Sequence, residues 1–100
     1  MIAVFFEALA VPEKKDRYFQ LAEQLKPLLS DIDGFISIER FQSTTNPDKF
    51  ISISWWEHEE AIKQWKQNAQ HKFAQEEGKR SIFSSYKISI LTSTREYHSQ

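Results

Sequence analysis

The sequence predicts an α+β fold of the ferredoxin-like plait type: a four-stranded antiparallel sheet with two helices on one face. Four segments alternate apolar and polar residues at a period of two, and two others repeat apolar residues at three- and four-residue steps. They occur in the order strand, helix, strand, strand, helix, strand. Right-handed crossovers turn that βαββαβ order into one sheet with both helices on the same side.

The first strand runs from Ile2 to Leu9 and is apolar on both sides except at Glu7, which suits a central position. Val11-Pro12-Glu13 then opens a helix in which Tyr18, Leu21, Ala22, Leu25, Leu28 and Leu29 share one stripe. Pro27 falls inside that helix and is expected to disturb the turn from Lys26 to Ser30, since an interior proline costs ~3 kcal/mol. Asp33-Gly34 is a turn pair leading into a second strand from Phe35 to Gln42. Residues 43–49, with Pro47, have the turn chemistry that joins it as a hairpin to a third strand.

On that third strand Phe50, Ser52, Ser54 and Trp56 share one face, and Ile51, Ile53 and Trp55 the other. Ala61, Ile62, Trp65, Ala69 and Phe73 then form the apolar stripe of one long helix. Glu57, Glu59 and Glu60 stand at its positive end, and Gly78 stops it. His71 lies off the stripe, about 120° from Trp65 on an unbroken helix. The two residues face a common pocket only if the helix bends or restarts near Asn68. A last strand alternates from Ile82 to Leu91, and the polar tail after it frays beyond Thr94. Leu21, Leu25, Ile53 and Trp65 are expected in the core.

Composition bounds the rest. One hundred residues, 40% hydrophobic and 27% charged, make a single domain over residues 1–100, with a core over about 2–92 and a tail over 93–100. A formal net charge of -1 with no long Lys or Arg run argues against nucleic acid. The absence of cysteine removes disulfides, thiolate catalysis and the usual zinc cages, and fits a cytoplasmic location. The N-terminal stretch meets Glu7 too early for a signal peptide or a membrane span. Two helices cannot cover all the apolar strand residues, among them Ile2, Val4 and Ile88. The sheet of an identical subunit is the expected lid, which makes the chain a homodimer.

His71 has the intrinsic pKa for proton transfer near neutrality, against the plainer reading of a solvated or carbonyl-bonded helix histidine. Glu7, the one ionisable group inside an apolar strand, is either a base or the partner of Arg40 or Lys87. Trp65 and Trp56 either wall an aromatic pocket or pack the core, and Tyr86 either bonds a phenolic substrate or fills the core. His58, His71 and His98 lack ligand spacing, so no metal site is expected. No nucleophile elbow or glycine-rich phosphate loop is present, which excludes the common hydrolase and nucleotide-binding classes.

The run Ile32 to Phe41, the segment Trp56 to Trp65, His71 followed by Ala74-Gln75, Gly78-Lys79-Arg80, and Phe83 with Tyr86 together resemble the antibiotic biosynthesis monooxygenase domain family. The likeness spans most of the chain and implies a dimeric α/β barrel in which two sheets pack face to face. Similar members include cofactor-independent oxygenases of quinols and polycyclic phenols, haem-degrading enzymes, and proteins with no assigned activity. The haem-degrading branch uses an asparagine on strand one, a tryptophan on helix two and a histidine later on that helix. Glu7, Trp65 and Gln75 stand there in this chain, so only the tryptophan survives and haem chemistry is disfavoured. The resemblance implies a monooxygenase needing no cofactor and acting on a small phenolic or quinol-type aromatic molecule. Glu7 or His71 would take the proton, Trp65 and Trp56 would wall the ring, and Tyr86 would bond the substrate. Arg40 would stabilise charge if its strand face lines the cavity. A non-catalytic dimeric binding protein of the same fold, and haem degradation with haem as substrate, are the alternatives.

Overall fold

In the computed structural model β1 (Ile2–Ala10) lies inside the sheet, with a hydrogen-bonded strand along each of its edges. It pairs antiparallel with β3 (Lys49–Trp56) on one side and β4 (Phe83–Thr92) on the other. β2 (Phe35–Gln42) lies beyond β3, giving the order β2-β3-β1-β4 expected of a ferredoxin-like fold. The structure describes residues 1–99, with Ala69 described by its backbone alone. Gln100 of the predicted tail and the Ala69 side chain of the predicted stripe lie outside the described residues.

After a 3₁₀ turn at Pro12–Lys14, α1 (Lys15–Ser30) runs through Pro27 without the expected break. Pro27 is exposed, so the carbonyl it leaves unpaired one turn back can meet water. The second helix is two helices, α2 (Glu59–Gln67) and α3 (Ala69–Glu77), separated by Asn68 in an extended conformation. His58 caps α2, its Nδ1 accepting from the Ala61 amide at 3.3 Å. Asn68 caps α3, its Oδ1 accepting from the His71 amide at 3.0 Å. The restart resets the helical phase, and Phe73, expected on the apolar stripe, is 66% exposed.

Gly78 does not stop α3 in a left-handed turn: its φ is -57°, and the chain passes into a π turn, Gly78–Ile82. Glycine is needed there for space, because a Cβ would stand 2.8 Å from the Phe83 ring. The turn keeps Ile82, fully buried, out of the last strand, which starts at Phe83 and extends to Thr92. Gly34 is the position that needs a positive φ, at +98°, in the turn before β2.

Cross-strand register sorts the side chains. Ile2, Val4 and Phe6 share a face with Trp56, Ser54 and Ser52 of β3 and with Ile90 and Ile88 of β4. The helices pack on this face, forming one cluster of Tyr18, Leu21, Phe50 and Ile82 and another of Leu29, Trp56, Ala61, Ile62 and Trp65. Ile2, Val4 and Ile88 therefore lie on the helix side, where the helices still leave Ile88 45% exposed. The other face carries Phe5, Ile51, Ile53, Trp55 and Leu91, so Ile53 is not in the core beneath the helices. Among the described residues no helix is long and apolar enough to cross a membrane.

Candidate functional site

Between the two clusters lies a cavity of about 260 Å³, floored by the sheet and lined from above by side chains of α1, α2 and α3. Its origin is visible along β3. Phe50 and Trp56 are large and buried, while Ser52 and Ser54 between them are short and line the cavity. Two small residues in the middle of a face otherwise filled by large ones leave a volume that close packing would eliminate. Tyr86, Ile88 and Ile90 of β4 line the open side at 44%, 45% and 46% exposure, because the helices do not reach over that edge strand.

His71 and Trp65 meet here. Their rings stack at 4.4 Å between centroids and 24° between planes, an arrangement that the restart at Asn68 makes possible. His71 Nδ1 is buried without a hydrogen-bond partner. Burial pushes the imidazole pKa below its ordinary value, with the Trp65 backbone carbonyl pulling less strongly the other way. The ring is therefore neutral and able to accept a proton at neutral pH.

Trp56 is only 1% exposed, and its Nε1 donates to Ser54 Oγ at 2.9 Å. Phe35 packs edge-on against it at 5.2 Å, so this wall is held on two sides. Arg40 lies on the helix face of β2 opposite Ser52 and lines the cavity, with its Nε buried and unpartnered. Tyr86 is at the mouth, stacked on Phe6 at 5.9 Å, rather than in the core. Glu7 does not join the others: one residue along β1 from Phe6, it points to the opposite face, in register with Lys87 and Ile51. The β1 side chains at the cavity are Val4 and Phe6, so the position that the haem-degrading resemblance assigned to Glu7 is outside it.

Tyr18, Ser52, Ser54, Gln75 and Lys79 also line the cavity and were not singled out as site residues from sequence. The paired serines among large neighbours were the available signal. Burial pushes the Tyr18 pKa up, with the charge of Arg40 opposing, so the group is a neutral phenol. Arg17 of α1 ties α3 over the cavity through two contacts to Glu77, Nε to Oε2 at 2.5 Å and Nη2 to Oε1 at 2.8 Å. Those bonds hold the Glu77 carboxyl below the usual carboxylate range. The cavity thus offers apolar walls, a neutral imidazole and a guanidinium whose Nε has no partner, and among the described residues no carboxylate lines it. Among the described residues no three His, Cys, Asp or Glu side chains gather as metal ligands would.

A family model described as antibiotic biosynthesis monooxygenase matches residues 1–77. The chain is 36% identical over 90 residues to the jasmonate monooxygenase ABM of Pyricularia oryzae, covering 90% of this chain and 42% of that protein. It thus spans less than half the length of that relative. It is 27% identical over 94 residues to the uncharacterized protein YqjZ of Bacillus subtilis, covering 94% of this chain and 80% of the other. A solved structure from Mycobacterium tuberculosis superposes with a TM-score of 0.85 at 11% identity, over 97% of this chain and 98% of that one, which establishes a shared fold.

Proposed function

The chain belongs to the antibiotic biosynthesis monooxygenase family, and from that premise we propose that it is a monooxygenase of a small phenolic or quinol-type molecule, working without metal or organic cofactor. The observation that carries this reading is the unpartnered, buried Nδ1 of His71 in the same cavity as Trp65, Trp56 and Arg40. His71 takes the phenolic proton, the two indoles wall the ring, and Arg40 supplies the cavity's partly buried positive charge. The phenolate passes an electron to dioxygen, and the two radicals join at a ring carbon. The substrate then loses two hydrogens and gains one oxygen atom while the other leaves as water, so the substrate supplies all four electrons. Tyr86, at the mouth, contacts the entering ring. Glu7 has no part in this.

Oxygen uptake with a panel of hydroquinones, anthrone-like phenols and jasmonate, the compound named for the Pyricularia oryzae relative, tests it. Uptake above background that falls in Trp65→Phe and His71→Ala supports the reading; background rates unchanged in both variants remove its support. A Soret shift on haem titration, with haem loss under reductant, would move the assignment to haem degradation.

In the same reading the working unit is a homodimer joined through the face bearing Phe5, Ile51, Ile53, Trp55 and Leu91, which lies opposite the helices among the described residues. Sedimentation at micromolar concentration giving only a monomer mass would refute this.

A further inference from the structure

We infer that the substrate carries a carboxylate as well as its oxidisable ring, and that Arg40 receives that carboxylate side-on inside the cavity. This rests on the cavity being the substrate site and specifies which substrate group Arg40 holds.

Arg40 projects from β2 on the helix face, across from Ser52, whose short side chain leaves room above the sheet. A guanidinium keeps its charge at any physiological pH, so its partial burial calls for a counter-charge. The chain does not supply one. Lys15 pairs with Asp48 at 2.6 Å and Arg17 with Glu77, but among the described residues no carboxylate lies within ion-pair distance of Arg40. Among the described residues no Asp or Glu lines the cavity, and Tyr18 stays neutral: it can accept a hydrogen bond but cannot balance the charge. The missing anion is therefore expected from the ligand.

The orphaned atom narrows the anion's chemistry. It is Nε, and Nε–H with one neighbouring Nη–H forms the two-pronged edge that matches the two oxygens of a carboxylate. A phosphate dianion would want further deep donors, whereas the other cations at the cavity, Lys66 and Lys79, are exposed on its rim. Those two lysines instead favour the approach of any anion. Size narrows it further. A dry cavity of about 150 Å³ takes benzene, and this one of about 260 Å³ takes a single ring with a short acidic arm. Arg40 and His71 then divide the ligand between them, the first holding its acid group and the second taking its phenolic proton.

Binding of 4-hydroxyphenylacetate, its methyl ester and 4-ethylphenol, followed by tryptophan fluorescence, separates the possibilities. The acid is expected to bind about ten-fold or more tighter than the ester, as a charge-assisted pair allows. Arg40→Met should abolish that preference and Arg40→Lys keep part of it. Equal binding of acid and ester to the wild type overturns the carboxylate inference and leaves the phenol reading standing. A preference that survives Arg40→Met overturns the assignment to Arg40. If none of the three binds at millimolar concentration, the cavity is no substrate site and both readings fall. Should Arg40→Met not fold, the wild-type comparison of acid with ester still decides.

Discussion

α2 and α3 are nine residues each and follow one another in the chain, yet they are held in opposite ways. α2 buries Ala61, Ile62 and Trp65 against Leu29 and Trp56 and anchors one of the two core clusters. None of the α3 side chains described is fully buried. That helix is held by the Asn68 cap, the Arg17–Glu77 pair and the stacking of His71 on Trp65. A tightly packed helix fixes one wall of the cavity, and a lightly packed one carries the titratable group over it. Residues that meet a ligand are commonly drawn from the less stable parts of a fold.

The contrast can be broken at its strong end first. Trp65→Ala removes a buried indole from the α2 cluster and the platform under His71, and should cost about 3–5 kcal/mol in denaturant unfolding.

His71→Ala should separate chemistry from packing, lowering oxygen uptake by about 10²-fold or more while the unfolding midpoint moves little. The pH dependence has a definite sign. Because the folded-state pKa of His71 is lowered from 6.5, the stability tied to its neutral form is complete above that value. It is lost as pH falls below 6.5 and through the folded pKa, since the unfolded chain protonates first. Wild type should therefore lose stability relative to His71→Ala on acidification below 6.5, and uptake should fall over the same range. Parallel stability curves for the two proteins would contradict the burial of this imidazole.

Asn68→Ala should cost about 1 kcal/mol, a typical value for a lost N-cap, and should reduce uptake less than His71→Ala because the imidazole is displaced rather than removed. Phe73→Ser, on the open side of α3, should stay within about 0.5 kcal/mol of wild type. A larger loss would mean that α3 is packed as α2 is.

Much of the fold was legible because side-chain periodicity reports local geometry. The two-residue alternation placed the strands, and the stripe from Tyr18 to Leu29 placed α1. Of the candidate site residues read from the sequence, Trp56, Trp65, His71, Arg40 and Tyr86 line the cavity. Glu7 misled because a strand apolar on both faces gives no sign of which one meets the helices. Phe73 misled for a related reason, whereas Gly78 does stand at the end of α3 as expected. A repeat read as continuous cannot show that Asn68 ends one helix and caps the next.

By itself the sequence determined the order and approximate extent of the four strands and the first helix, and the absence of cysteine chemistry, since each depends on neighbours along the chain or on composition. Only the tertiary structure decided which face of β1 is covered, that Ser52 and Ser54 leave a cavity, and that Arg40 and His71 each keep an unpartnered nitrogen there. A cavity is a volume left unfilled by elements distant in sequence, and a missing partner is a relation among all the groups around an atom. Neither is a property of any stretch of chain, so both exist only once the helices are set down on the sheet.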